Sequence, residues 1–293
     1  MTLAIIAGEG QLPAMVAAQA DAPIIACLEG FAPDYLSVDL RFRLETLGSF
    51  LLNLGARGVT EVCFAGAIRR PQIDPTKIDA ATAPLVPIIA QALQSGDDSA
   101  LRAILDLFEK AGFSIKAAHD IVPDLMPRPQ VMGVITPQDE ADAARAEDIQ
   151  RALADVDVGQ ACIVARGQAL ALETVAGTDW MIRSLLRHAE DRERDWVSDI
   201  FHDLTGDAFR GSRLPERDPA LPEGGLLFKG IKPQQDRRVD MPTISGRTIA
   251  LAAEAGLRGV VIEAGAVQVL EFMEAKRIAE LTGLFLWVRE AGA

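Results

Sequence analysis

The sequence predicts an α/β protein of two domains. A Rossmann-like N-terminal domain carries a parallel sheet, a distinct C-terminal α/β domain follows, and a ligand cleft lies between them. Three observations carry this reading. Short apolar runs alternate with stretches of helical periodicity through the N-terminal half, the pattern of buried parallel strands joined by helices. Glycine-rich turns end several of those runs. The segment MPRPQVMGVITP (126–137), with three prolines and one glycine, interrupts the alternation, and 293 residues exceed a typical single core. The expected division is residues 1–128, a linker at 129–137, and 138–293.

The elements follow in order. LAIIA (3–7) is a buried strand ended by Gly8, and PAMVAAQA (13–20) is a helix of small residues. PIIACL (23–28) is a second strand. ETLGSFLLNLGARG (45–58) has helical spacing and a glycine stop. TEVCFAGA (60–67) is a third strand, two helices follow in PLVPIIAQALQ and SALRAILDLFEKAG, and FSIKAA (113–118) is a fourth strand. Beyond the linker, GQACIVARGQALALET (159–174) reads as a hairpin turning at Arg166-Gly167. GTDWMIRSLLRH starts a helix with Thr178 or Asp179 as cap. RGVVIEAGAVQVLEFMEAKRIAEL repeats that theme, with a hairpin at Gly265 and then a helix, and LFLWV (284–288) closes as a strand. The charged segment 191–223 carries Trp196, Ile200, Phe201 and Leu204 on one face of a short helix. Packing on its own domain, a dimer contact and an acyl-chain surface all fit that face.

Composition excludes several functions. The formal charge of −13 argues against nucleic acid as a partner, since phosphate binding needs a basic footprint. No apolar run reaches the roughly 18 residues of a transmembrane segment, so any membrane contact is peripheral, and MTLAIIAGEG lacks the basic start of a signal peptide. The expected location is cytoplasmic. Cys27, Cys63 and Cys162 sit in apolar runs and read as buried free thiols.

The chemistry-bearing residues gather at the ends of the expected strands. GEGQLP, with Gly8, Gly10, Leu12 and Pro13, joins a strand to a helix, where backbone amides can approach phosphate. Glu29 stands where a dinucleotide fold places its ribose-binding acid, so an NAD-dependent oxidoreductase is a live alternative. Pro13, in place of the third glycine of that fingerprint, argues against it. In AGAIRRP, Arg69 and Arg70 can hold phosphate or cap a helix, and His119 ends the fourth strand at the ligand edge. KPQQDRRVDMP (232–242) places Gln235, Asp236, Arg237, Arg238 and Asp240 between two prolines, with Lys232 just before the first. It reads as a structured loop, either solvated or gathering a metal and an anion.

In this order IAGEGQLP, FAGAIRRP, SGDDSALR, AAHDIVPDL, DVGQA, AGTDWMI, KPQQDRRVDMPTI and VVIEAGAVQVL resemble the I-type UDP-2,3-diacylglucosamine pyrophosphatases of lipid A biosynthesis. The likeness spans nearly the whole chain, and KPxQDxRxDxP is its most specific part. It implies a homodimeric, magnesium-dependent (Mg²⁺) cytoplasmic hydrolase. Such an enzyme cleaves UDP-2,3-diacylglucosamine, a lipid substrate, to UMP and 2,3-diacylglucosamine 1-phosphate (lipid X), with attack at the phosphorus nearer the sugar. A nucleotide-sugar binding protein without chemistry is the other alternative.

On that likeness, Asp236 and Asp240 are the expected metal ligands or water-orienting groups, and Arg237 and Arg238, with Lys229 or Lys232, offset phosphate charge. Gly8, Gly10, Leu12, Pro13, Arg69, Arg70, His119, Gln160, Thr178, Asp179 and Gln235 are the expected substrate contacts. The chain departs from the family in Gln234, where glycine is usual, and in the length of 191–223.

Overall fold

The computed structural model describes residues 2–69, 71–94, 97–187, 216–233 and 235–290; the side chains of 93–99 and 187 are outside that description. Arg70, Gln234 and the helical face expected at 196–204 therefore lie outside the described residues. The chain divides into two compact units. One is Met1–Met126 with Gln234–Met241, the other Pro127–Pro233 with Pro242–Ala293. The loop placed by sequence in the C-terminal domain thus contributes Gln234–Met241 to the first unit.

The first unit runs β1 (Thr2–Ala7), α1 (Leu12–Gln19), β2 (Ile24–Leu28), β3 (Leu40–Phe42), α2 (Leu47–Ala56), β4 (Val59–Ala65), α3 (Val86–Gln94), α4 (Asp97–Lys110), β5 (Ser114–Lys116) and α5 (Ala118–Ile121). Its sheet has the order β3-β2-β1-β4-β5, and every neighbouring pair is parallel. The order reverses between β1 and β4, so the chain leaves those strands toward opposite sides and opens a crevice at their C-terminal ends. Strand β3 escaped the sequence reading because Leu40–Phe42 is short and only Phe42 is buried. Residues 118–120, read as a strand end, begin α5 instead, and Asp120 Oδ2 accepts from the Ala117 N–H at its start, 3.2 Å away.

Alternation sorts the strand residues by face. Ala4, Ile6, Ala26, Leu28, Phe42 and Val62 form one core with Leu47, Phe50, Leu51 and Leu54 of α2, Ile89 of α3, and Leu107 and Phe108 of α4. Phe42 stacks on Phe50 at 4.0 Å between ring centroids, and Phe64 meets Phe108 edge-on at 5.0 Å. Helix α1 packs on β1, β4 and α5. All three cysteines are buried and free, and burial pushes the Cys63 thiol up to about 12.

The second unit opens with β6 (Gln130–Met132), which lies within the stretch read as a linker, then α6 (Pro137–Asp155), β7 (Ala161–Ala165), β8 (Gln168–Leu172), α7 (Thr178–Arg183), β9 (Leu186–Arg187) and β10 (Glu216–Arg217). It continues with β11 (Leu226–Lys229), β12 (Thr243–Ile244), α8 (Gly246–Glu254), β13 (Gly259–Glu263), β14 (Gln268–Val269), α9 (Phe272–Thr282) and β15 (Phe285–Arg289). Its main sheet has the order β6-β15-β13-β11-β7-β8. Strands β11, β13 and β15 run parallel, while β6, β7 and β8 pair antiparallel. Ala143 and Ala146 of α6 cover one face through Cys162, Val164, Phe228 and Val261. On the other face Ile163, Leu227, Val260 and Leu286 pack against Met181 and Ile182 of α7, Ile249 and Ala252 of α8, and Ala275 and Ala279 of α9.

The hairpin at Arg166-Gly167 is present. Both residues have positive φ, 51° and 77°, as a two-residue turn of this hand requires. Asp142 holds the turn by accepting from the N–H groups of Arg166 at 2.9 Å and Gly167 at 2.7 Å. The hairpin expected at Gly265 is absent: β14 pairs in parallel with β12, not with β13. Buried apolar runs on either side of a glycine look the same in sequence whether they pair with each other or with separate partners. Among the described residues, no helix is long and apolar enough to cross a membrane.

Candidate active site

The first candidate region is the crevice edge of the N-terminal sheet. Beyond β1 and β4 the two glycine turns clasp each other. The Glu9 N–H donates to the Ala67 carbonyl and the Ala67 N–H to the Glu9 carbonyl, each at 2.9 Å. This approach requires glycine. A Cβ on Gly8 would stand 2.5 Å from the Ala67 carbonyl oxygen, and one on Gly66 2.7 Å from that of Glu9. Gly10 has φ 95° with open space beside it, and Leu12 and Pro13 start α1. Arg69, on the second turn, donates to both carboxylate oxygens of Glu9 at 3.0 and 3.2 Å and is 79% exposed. So exposed a pair is weak and can exchange Glu9 for a ligand anion.

The loop that follows Pro233 forms one tight turn, with the Asp240 N–H donating to the Asp236 carbonyl at 2.9 Å. Arg238 grips Asp236 from both sides, Nε to Oδ1 at 3.0 Å and Nη2 to Oδ2 at 2.7 Å. Its Nη1 also reaches Glu109 on α4 at 2.6 Å. The Arg238 hydrogen bond holds the Asp236 carboxyl below the usual carboxylate range, against the opposing effect of burial, and Arg102 on α4 adds to the lowering. Gln235 is buried and donates Nε2 to Asp240 Oδ2 at 3.0 Å. Through this bond it orients Asp240. Arg237 is exposed.

Asp240 and Arg69 both line a cavity of about 440 Å³ within the same unit. Ile6, Leu28, Phe42 and Phe64, at the ends of four parallel strands, form its floor. Ile89 and Ala92 of α3 and Leu101, Ile104 and Phe108 of α4 close it. The result is an apolar chamber with a carboxylate and a guanidinium in its wall, at the switch point where open α/β sheets bind ligands.

The second region lies in the C-terminal unit. Lys229, at the end of β11, is 5% exposed and donates to Thr178 Oγ1 at 2.7 Å and Glu173 Oε1 at 3.4 Å. The Thr178 hydroxyl donates in turn to Glu173, and Glu173 Oε2 accepts from the Gln160 N–H at 3.2 Å. Gln160 Oε1 is buried with no hydrogen-bond partner among the described residues, as is His119 Nδ1 in the first unit. Thr178 is therefore not the helix cap expected from GTD. Gly177 precedes α7 with φ 84°, and the threonine hydroxyl turns into this cluster. Asp179 pairs with Arg247 at 2.9 Å and Lys232 with Asp157 at 2.6 Å. Glu173 was missed because a lone glutamate after a hairpin strand looks solvated in sequence.

Among the described residues no group of three or more His, Cys, Asp and Glu could hold a metal ion. Both Asp236 oxygens are occupied by Arg238. Asp240 is the loop carboxylate that lines the larger cavity, and a magnesium ion held chiefly through substrate phosphates needs only one or two protein carboxylates.

A family model described as the LpxI N-terminal domain matches residues 2–125, and one described as the LpxI C-terminal domain matches residues 130–287. The UDP-2,3-diacylglucosamine pyrophosphatase LpxI of Caulobacter vibrioides is 35% identical over 295 residues, an alignment covering 97% of this chain and 96% of that protein.

Proposed function

The chain belongs to the LpxI family, and from that premise we propose that it hydrolyses the pyrophosphate of UDP-2,3-diacylglucosamine. The products are UMP and 2,3-diacylglucosamine 1-phosphate. The observation that carries this reading is the apolar chamber with Asp240 and Arg69 in its wall, since the substrate joins a lipid to a pyrophosphate.

A water oxygen forms a bond to the phosphorus nearer the sugar. The bridging P–O bond breaks, UMP leaves with the bridging oxygen, and the water's proton passes to solvent. Arg69, freed from Glu9, and the exposed Arg237 offset phosphate charge, which grows on the leaving oxygen in the transition state. Arg238 is held by Asp236 and Glu109, so its guanidinium needs little reorganisation when substrate arrives. Asp240, which Gln235 orients, is the residue that would hold Mg²⁺. When bound, the ion neutralises phosphate charge. Asp236 can join as a second ligand only by releasing Arg238. Gly8 and Gly10 keep the first turn open to nucleotide phosphate, while Lys229, Thr178 and Gln160 shape the C-terminal unit's polar cluster. The same reading, resting on family likeness, carries a cytoplasmic homodimer that meets the membrane peripherally to draw its lipid substrate.

The test is chromatographic. Purified enzyme given UDP-2,3-diacylglucosamine should release UMP, lose activity in EDTA and regain it with magnesium. Asp240→Ala and Asp236→Ala should abolish release with folding intact. Near wild-type turnover in both variants would remove the loop from the mechanism, and EDTA-insensitive turnover would remove the metal.

A further inference from the structure

A second cavity, of about 350 Å³, lies in the same unit. Leu44 and Ile89 line both cavities and so stand as the partition between them. The second chamber is walled by Ile73, Pro75, Ile78, Val86 and Ala90. Its polar residues face elsewhere: Glu45 Oε1 accepts from the Asp74 N–H at 2.7 Å, and Thr82 Oγ1 accepts from the Gly48 N–H at 2.8 Å. Both volumes fall within the range of ligand pockets, roughly 300–1,000 Å³, and exceed the voids that close-packed interiors leave. Two adjoining apolar chambers, with a catalytic-loop carboxylate lining only one of them, call for a ligand with two apolar arms and one polar head.

We propose that the two chambers take the two acyl chains of the substrate separately, an assignment that rests on the function proposed above. Asp240 and Arg69 line the larger chamber alone. The chain on C2 of the glucosamine is the one nearest the reacting diphosphate on C1, so it enters the larger chamber. The chain on C3 enters the smaller one. Leu44 and Ile89 keep the chains apart, and each chamber measures its own chain.

The experiment compares kcat/KM for four UDP-diacylglucosamines, with a long or short chain at C2 and, independently, at C3. Leu101→Trp fills the larger chamber from α4, and Ala90→Phe fills the smaller from an exposed position on α3. Excluding one methylene is worth about fourfold in binding, so excluding several should cut the long-to-short preference at one position more than tenfold. Leu101→Trp should do this at C2 only and Ala90→Phe at C3 only. Leu101→Ala and Val86→Ala, which widen the same chambers, should raise the preference for longer chains at C2 and C3 respectively, so the result does not hang on the filled variants folding. If each variant shifts both positions alike, or if none shifts either, the assignment is overturned. Absence of UMP from every substrate with the wild-type enzyme would overturn the underlying function, and this assignment with it.

Discussion

Arg238 reaches 2.6 Å across to Glu109, a residue 129 positions earlier in the chain. Helix α4 therefore has two tasks. Leu101, Ile104 and Phe108 close the larger chamber, while Glu109 fixes the arginine of the adjoining loop. Glu109→Gln should leave stability within about 1 kcal/mol, because both partners are 41% exposed. It should lower kcat roughly tenfold through a looser guanidinium. Thermal melting beside steady-state kinetics separates the two. An unchanged kcat would show that Glu109 does not position Arg238.

The Asp236–Arg238 pair predicts a pH signature. The folded-state pKa of Asp236 is depressed, chiefly by its hydrogen bond to Arg238. The pair's contribution is therefore complete above the ordinary aspartate pKa and is lost as pH falls through the lower folded value. Asp236→Asn should cost about 1 kcal/mol near neutrality, a figure kept small because Arg238 is partly exposed and screened. Urea titrations should show that difference shrinking below about pH 4, the ordinary aspartate pKa. A difference that stayed constant into acid would rule out the ion pair as its source.

The glycine turns were legible as turns, but not as a clasp. Nothing in GEGQLP announces that its neighbour is AGAIRRP; that follows from β1 pairing with β4. Gly66 combines φ 92° with a crowded site, where an added Cβ would meet backbone at 2.7 Å, whereas Gly10 has positive φ but open space. Gly66→Ala should therefore be the worse substitution, by about 1–3 kcal/mol. Differential scanning calorimetry should place its Tm several degrees below that of Gly10→Ala. Equal melting points would mean the clasp is not tight.

Periodicity gave strands β1, β2, β4 and β5, helices α1 to α4 and the hairpin at Arg166-Gly167, because each depends on residues adjacent in sequence. It failed where the partner is distant. Strand β3 owes its place to pairing with β2, and the segment after Gly265 to pairing with β12. The loop acids and arginines were visible as a charged run, yet their partners Glu109 and Arg102 were unremarkable helix residues. The larger chamber was invisible for a similar reason: Ile6, Leu28, Phe42, Phe64 and Phe108 each look like core, and only the fold leaves space between them.

In the second unit, Lys229 and Glu173 are 5% and 6% exposed. Removing one partner strands a buried charge. Lys229→Met should therefore destabilise by about 3–5 kcal/mol, and adding Glu173→Gln should recover much of that loss. Chemical denaturation of the single and double variants checks this. A double variant less stable than Lys229→Met would show that the pair is not coupled in this way.

Hydrolysis of the pyrophosphate with attack at the phosphorus nearer the sugar puts the water oxygen in the lipid product. It is tested most directly by turnover of UDP-2,3-diacylglucosamine in ¹⁸O-labelled water, followed by mass spectrometry of both products. One ¹⁸O should appear in the diacylglucosamine 1-phosphate and none in UMP. Label in UMP, or no UMP above an enzyme-free control, would contradict it.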